Sequence, residues 1–115
     1  IYNRYSAHYI FIPNVGYVSH CMICIGGGGI VVDIQPFYSE TESTEWCQGV
    51  IILHYEGYCN IKELMLISDR NKLQYSDVCE RIDFVKEKGY RATLLSSFDF
   101  STMTPCDGTQ RTLLR

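Results

Sequence analysis

The sequence predicts an α+β domain: a mainly antiparallel sheet with one clear helix packed on it and a second short helix at the C-terminus. Three observations support this fold class. Short β-branched and aromatic runs end at turn residues, a run of four glycines joins two of these runs, and the stretch 76–88 has apolar residues at helical spacing. At 115 residues and 46% hydrophobic composition, the chain fits a single domain over 1–115.

The strands are predicted from apolar runs bounded by Pro, Gly or Asn. The strongest local prediction is a β-hairpin in which 17–25 pairs with 30–35. The chain turns there at Gly26–Gly29, because glycine adopts a positive φ without steric cost. The polar and acidic residues 36–48 predict a loop or a short helix. The other predicted strands are 8–13, 49–55 and 61–68, the last of which is also compatible with a helix.

The clear helix is predicted over 76–88. Ser76 is a suitable N-cap, and Gly89 stands where a C-terminal glycine commonly ends a helix. The second, short helix is predicted over 106–114, where Pro105 precedes a last possible helical turn. The apolar face of the first helix is formed by Val78, Ile82 and Val85.

Charge and composition exclude several function classes. The net charge is −3 and the pI is about 5.5, whereas a nucleic-acid-binding surface is usually basic, so we expect no nucleic-acid partner. No apolar stretch approaches the roughly 20 residues of a transmembrane helix, so we expect no transmembrane segment. The six cysteines accompany a rich core rather than a loop-rich scaffold, which favours reduced thiols and a cytoplasmic location.

Two short motifs suggest a metal or phosphate site, and neither has the features that such a site needs. Cys21 and Cys24 have the spacing of a zinc pair, but residues three apart on a strand point to opposite faces. The glycines Gly26–Gly29 lack the Lys-Ser/Thr and the helix of a phosphate loop. We therefore expect no metal and no cofactor.

The stretch 19–36 contains a possible general base. His20 opens a strand, the glycine turn follows, and the returning strand carries Asp33. On adjacent strands the imidazole and the carboxylate would be neighbours, and such a partner fixes the tautomer of a catalytic histidine. Gln35 is an alternative partner for the same imidazole.

This pattern resembles the circularly permuted NlpC/P60 superfamily of papain-like and LRAT-like thiol hydrolases. In that order the histidine comes first, and the cysteine comes late in the chain at a helix start, where Cys106 stands in STMTPCDGTQRTLL. The resemblance implies Cys106 as nucleophile, His20 as base and Asp33 as orienting residue. The implied activity is hydrolysis or acyl transfer on an amide or ester through a thioester, with a small-molecule, peptide or lipid-ester substrate.

Non-catalytic alternatives stay open. His20 can be a histidine at the core edge, Cys106 an inert thiol and Asp33 a solvated strand residue. The segment 67–95 also resembles the periplasmic domains of ExbD and TolR transport proteins, which implies a module that binds a protein partner. The 9 tyrosines and 5 phenylalanines suit either a core or an interface, so a structural module such as a viral assembly protein is a further alternative.

Overall fold

The structure is a computed structural model that describes residues 3–37, 44–55 and 71–115. Of the described residues, 51% are in strands and 12% are helical. The predicted α+β class is therefore wrong, and the described fold is mostly β with two mixed sheets. The strands are β1 (Asn3–Ser6), β2 (Tyr9–Ile12), β3 (Gly16–Ser19), β4 (Cys21–Ile25), β5 (Val31–Pro36), β6 (Thr44–Trp46), β7 (Val50–His54), β8 (Lys72–Gln74), β9 (Arg91–Ser96) and β10 (Gln110–Leu114).

The strands form two sheets. The first has four strands in the order β5-β4-β1-β6, and the second has six in the order β10-β9-β7-β2-β3-β8. Both sheets mix antiparallel pairs with parallel ones; β1 runs parallel to β6, β2 to β7 and β3 to β8. The helices of the described residues are too short or too polar to cross a membrane.

Three pairs of consecutive strands connect the two sheets, with one strand of each pair in either sheet. The chain bends at Ala7 and His8 between β1 and β2, at His20 between β3 and β4, and at Cys47–Gly49 between β6 and β7. His20 and Gly49 carry the positive φ values of these bends, 61° and 128°. Because β1 pairs with β4 and β6 while β2 pairs with β3 and β7, the three bends lie side by side in one corner of the fold.

The main core lies between the two sheets. It is mostly aliphatic, and the central strands contribute alternate side chains to it, as strands buried on one face do. Its fully buried members from the central strands include Ile10, Ile23, Ile51 and Leu53. The radius of gyration of 12.8 Å is close to the value of about 13 Å expected for a compact domain of this length.

A second, more aromatic cluster covers the outer face of the six-stranded sheet. Phe98 and Met103, from the loop between β9 and β10, pack onto Phe11 and Tyr17 there. The hydroxyl of Tyr17 donates a 3.0 Å hydrogen bond to the carbonyl of Met103. Asp99 accepts bonds from the backbone and hydroxyl of Ser101, which hold the loop compact and lower the pKa of that carboxyl.

The predicted hairpin is half right. Cys21–Ile25 pairs antiparallel with Val31–Pro36, and the glycines Gly27–Gly29 form a 3-10 turn between them. The range 17–25 is not one strand, because the left-handed backbone of His20 ends β3 and starts β4 in the other sheet. The Gly16–Ser19 half pairs instead with β2 and β8.

The predicted helix over 76–88 is wrong as a continuous element. A four-residue helix, Tyr75–Val78, is followed by a turn and by the 3-10 segment Asp83–Lys86. Ile82, with φ −110° and ψ 11°, breaks the helix between them. The apolar pattern predicted burial but not helix continuity, because Val78, Ile82 and Val85 are all buried.

The second predicted helix, 106–114, is also wrong. Gln110–Leu114 is instead a strand, antiparallel to β9. A helix this short is only marginally stable in water, whereas pairing with β9 gives the backbone N–H and C=O groups of 110–114 hydrogen-bond partners. The predicted strands 8–13 and 49–55 are confirmed as β2 and β7, while 61–68 lies outside the described residues. Within 36–48, Thr44–Trp46 is a strand rather than a loop or helix.

Candidate functional site

The register of β4 and β5 does not bring His20 and Asp33 together. The backbone N–H of Phe37 donates a 2.9 Å hydrogen bond to the carbonyl of His20, so these two residues lie opposite each other. Asp33 lies opposite Cys24, four positions further along the ladder. At about 3.3 Å per residue, the base and its predicted orienting residue are about 13 Å apart along the strands.

Asp33 has a structural environment of its own. Its carboxylate accepts hydrogen bonds from the amide of Gln35 at 2.7 Å and from the backbone of Ile34 at 2.9 Å. It also forms an ion pair with Lys86 at 3.3 Å, and the hydrogen bond with Asp33 raises the pKa of Lys86. Asp33 thus ties the 3-10 segment to β5, and Gln35, the alternative partner for His20, is bonded to Asp33.

Cys106 lies beyond the end of β9, in an exposed turn. Its thiol donates to the carbonyl of Ser97 at 3.0 Å, and the hydroxyl of Thr109 donates to the same carbonyl at 3.0 Å. A turn rather than a helix follows it, so no helix N-terminus favours the thiolate. Strands β7 and β2 stand between β9 and β3, so β9, whose end is near Cys106, is about 14 Å from β3, which ends just before His20.

The other described cysteines are packed or partly packed thiols. Cys21 belongs to the inner core, while Cys24 is buried on the other face of β4, as the alternation of a strand predicts. Burial raises the pKa of Cys21 to about 12, so this thiol stays protonated at neutral pH. Among the described residues, no group of three His, Cys, Asp or Glu side chains could hold a metal ion.

The corner where the three bends meet contains a pocket of about 310 Å³, which we call the bend pocket. The pocket is lined by the last residues of β1, β3 and β6, by the residue after β5, and by residues of two of the three bends. The lining residues are Ser6, Ala7, His8, Ser19, His20, Phe37 and Trp46.

Aromatic rings flank this pocket. The ring of His8 lies 5.3 Å from Trp46 and 5.1 Å from Phe100, while Phe37 and Trp46 are nearly parallel, at 27°, with centroids 6.3 Å apart. We call these four residues the aromatic strip. Trp46 is 44% exposed and Phe100 36% exposed, so the strip presents ring surface to solvent rather than to the core.

The polar groups of the bend pocket are held by defined hydrogen bonds. Ser19 contacts the Nδ1 atom of His20 at 3.0 Å and donates to the carbonyl of Leu73 at 3.3 Å. The backbone N–H of Gly49 donates a long, 3.4 Å bond to the Nδ1 atom of His8. Both imidazoles are therefore tied to the fold through Nδ1.

A second pocket, of about 350 Å³, lies beside the glycine turn. Arg91 lines it and donates a hydrogen bond to the carbonyl of Gly28. A Cβ added to Gly29 would lie 2.9 Å from the guanidinium of Arg91, so this side chain packs directly on the turn. The glycines thus accommodate Arg91 and the tight turn, as expected for a hairpin connection.

Comparisons with models of protein families, with curated proteins and with solved structures find no match to this chain. The sequence pattern indicated His20 as a candidate residue but assigned it to a hydrolase site, and it did not indicate His8. The residues of the bend pocket are far apart in sequence, and the strand crossings that join them leave no local motif.

Proposed function

We propose that this chain is a non-catalytic binding domain whose ligand occupies the bend pocket. The observation that carries the proposal is the position of Trp46 and His8, large rings left exposed beside a pocket rather than packed into the nearby core. Binding sites are typically concave and lined by aromatic side chains with a few placed polar groups. A pocket of about 310 Å³ is large enough for one small ring-containing group.

The thiol hydrolase hypothesis has less support from the same geometry. Nucleophilic catalysis needs the thiol and its base within hydrogen-bond reach, and the base needs a third group to orient it. Cys106 bonds to Ser97 and Asp33 bonds to Lys86, while the described contact of the His20 ring is with Ser19. The three predicted catalytic residues therefore lie in three different environments.

The chemistry of the pocket favours a ligand with a flat apolar part. Phe37 and Trp46 offer ring faces, on which a second planar group can stack. The charged lining that a strongly ionic ligand would need is absent from the described residues around the pocket, whose polar groups are hydroxyls and imidazoles. A small aromatic group, free or carried on a larger partner, fits these features.

Trp46 makes the proposal testable, because it is the only tryptophan in the chain. Titration with benzamide, phenol and benzoate should change its fluorescence in a saturable way for at least one of them. Phe37→Ala should weaken that binding about tenfold, since it removes one ring wall. Leu113→Ala is the control, because Leu113 is an apolar side chain exposed at 45% that lies on β10 and outside the bend pocket.

The proposal fails if none of the three probes gives a saturable change. It also fails if Leu113→Ala weakens binding as much as Phe37→Ala does, because the probes would then adhere to any exposed apolar side chain.

A further inference from the structure

We infer that the pocket beside the glycine turn is a second binding site, and that its ligand is the phosphate group of a small molecule. We call it the arginine pocket, because two arginine side chains line it. Its described lining residues are Gly26, Gly28, Gly29, Arg91, Leu113 and Arg115. None of these residues lines the bend pocket, so the inference is independent of the proposed function.

The register of two strands brings the arginines together. Strands β9 and β10 are antiparallel, and the last pair of their ladder is Ala92 with Leu114. Arg91 precedes Ala92 and Arg115 follows Leu114, so the two arginines face each other one step beyond that pair. Residues opposite each other on antiparallel strands have Cβ atoms about 5 Å apart, and like charges in these positions are destabilising.

Both arginine side chains also reach the same place beside the glycine turn. A Cβ built on Gly29 would lie 2.9 Å from a terminal nitrogen of Arg91 and 4.0 Å from Cγ of Arg115. Gly29 has a φ of 78°, which also favours glycine at this position. The missing side chain therefore leaves room at the point where the two cationic side chains converge.

Hydrogen bonds from separate parts of the fold position the two arginines. The guanidinium of Arg91 donates to the carbonyl of Gly28. The carbonyl of Arg115 accepts a 2.7 Å bond from the side-chain amide of Asn3 and a 2.8 Å bond from the hydroxyl of Tyr5. The guanidinium of Arg91 and the backbone of Arg115 are thus held in place before any ligand binds.

Two converging guanidinium groups favour an oxyanion that carries more than one negative charge. A guanidinium forms paired, charge-assisted hydrogen bonds to phosphate and to carboxylate oxygens. A phosphate monoester carries a charge of about −1.5 to −2 at pH 7, whereas a carboxylate carries a single charge. The described lining residues include no carboxylate of their own. A phosphate group therefore matches the charge of the arginine pair better than a carboxylate does, and it removes the repulsion between the two cations.

The glycine turn itself does not act as a phosphate loop. The backbone N–H of Gly26 donates to the carbonyl of Ile30, and that of Gly29 donates to the carbonyl of Gly26. These two N–H groups are used within the turn, whereas a phosphate loop directs its N–H groups at the ligand. The affinity therefore comes from the arginines, and it should fall as added salt screens their charge.

The first test is titration of the whole chain with methyl phosphate at constant ionic strength, followed by amide chemical shifts. The resonances of Gly28, Gly29 and Arg91 should shift, and methyl phosphate should bind at least about tenfold more tightly than acetate. Arg115→Ala should weaken the binding of methyl phosphate at least about tenfold. Arg111→Ala is the matched control and should change the affinity less than about twofold, because it removes the same charge from β10 but lies outside the arginine pocket.

Three results of this titration would overturn the inference. Shifts that are absent, or that lie away from the glycine turn, would mean that the arginine pocket holds no phosphate. Equal affinities for acetate and methyl phosphate would exclude the preference for a phosphate group. Equal weakening in Arg111→Ala and Arg115→Ala would show that the overall charge of β10, and not the pocket, attracts the anion.

The second test measures the same binding through stability. Methyl phosphate should raise the urea midpoint of the unmodified chain, because a ligand that binds only the folded state stabilises it. The midpoint of Arg115→Ala should rise much less at the same methyl phosphate concentration, with sodium chloride at matched ionic strength as the reference. Equal increases in the two chains would mean that Arg115 does not bind the phosphate group, and the inference would be overturned.

Discussion

The interior between the two sheets and the aromatic strip at the bends are built in opposite ways. The interior takes its side chains from the middles of strands, such as Ile51 in β7, and buries them completely. The strip takes its side chains from places where strands stop: Phe37 follows β5, Trp46 ends β6 and His8 lies in a bend. Its rings remain partly in solvent although the core lies a few residues away.

Because of this difference, the residues that stabilise the fold are not the residues that we expect to bind the ligand. Regular alternation buries one face of each strand, so it supplies the aliphatic core. Where the alternation is interrupted, the chain bends from one sheet into the other. The rings of the strip that lie at these bends face solvent rather than the core. We therefore expect changes in the interior to affect unfolding and changes in the strip to affect ligand affinity.

Gly49 links the two regions, so its replacement should have the largest effect. A Cβ at this position would overlap the carbonyl of Leu95 in the neighbouring strand, and the backbone has a φ of 128°. We expect Gly49→Ala to lower the free energy of unfolding by about 4 kcal/mol, measured by denaturant titration. Gly27→Ala is the matched control and should stay within about 0.5 kcal/mol, because its Cβ would meet open space. Equal losses of unfolding free energy in the two variants would contradict the close approach of Gly49 to Leu95.

Ile51 and Trp46 test the comparison itself. Ile51 is fully buried, so Ile51→Ala should cost about 3 kcal/mol of unfolding free energy through lost burial and a residual cavity. Trp46 is 44% exposed, so Trp46→Ala should cost only about 1 kcal/mol despite removing more atoms. Chemical unfolding followed by circular dichroism measures both. If Trp46→Ala lowered the free energy of unfolding more than Ile51→Ala does, the strip would have to be counted as part of the stabilising core.

Cys21 gives the stability of the interior a dependence on pH. Burial raises its pKa from 9.0 to about 12, so the unfolded chain releases the thiol proton at a lower pH than the folded chain does. The stabilisation is complete below about pH 9 and is lost as the pH rises towards 12, by up to about 1.4 kcal/mol per pH unit. Unfolding of Cys21→Ala should show a flatter decline over that window, whereas Cys106→Ala should decline as the unmodified chain does.

Cys106 distinguishes the binding proposal from the thiol hydrolase hypothesis. A thiol-alkylating probe should label exposed Cys106 much faster than the buried Cys21, Cys24 and Cys47, because access limits the reaction. His20→Ala should leave the Cys106 rate unchanged within about twofold, since no contact joins the two side chains in the described structure. A rate that falls about tenfold in His20→Ala would instead show base activation, as the hydrolase hypothesis requires.

The sequence predicted burial better than it predicted element type. The apolar residues Val78, Ile82 and Val85 lie inside as expected, although the helix that should carry them breaks at Ile82. Packing of a few buried side chains outweighs weak local helix propensity in such a short segment. For the same reason, the predicted helix over 110–114 is an edge strand that pairs with β9.

The candidate site was less predictable than the fold. His20 was identified from its place at the start of a strand. Its neighbours, however, depend on a bend at which His20 has a positive φ, and a positive φ at a residue other than glycine could not be predicted from the local sequence. The predicted pairing with Asp33 assumed that the hairpin turn fixes which residues face each other. The actual register places Phe37 there, and the parallel crossings that add His8 and Trp46 are long-range features.

Amide chemical-shift mapping with benzamide tests the central claim most directly. Added benzamide should shift the resonances of residues lining the bend pocket, above all His8, His20 and Trp46, and should leave those of the glycine turn and of β10 in place. Shifts clustered instead at Arg91 and Gly28, or around Cys106 and Ser97, would contradict it, because the ligand would then occupy a different part of the molecule.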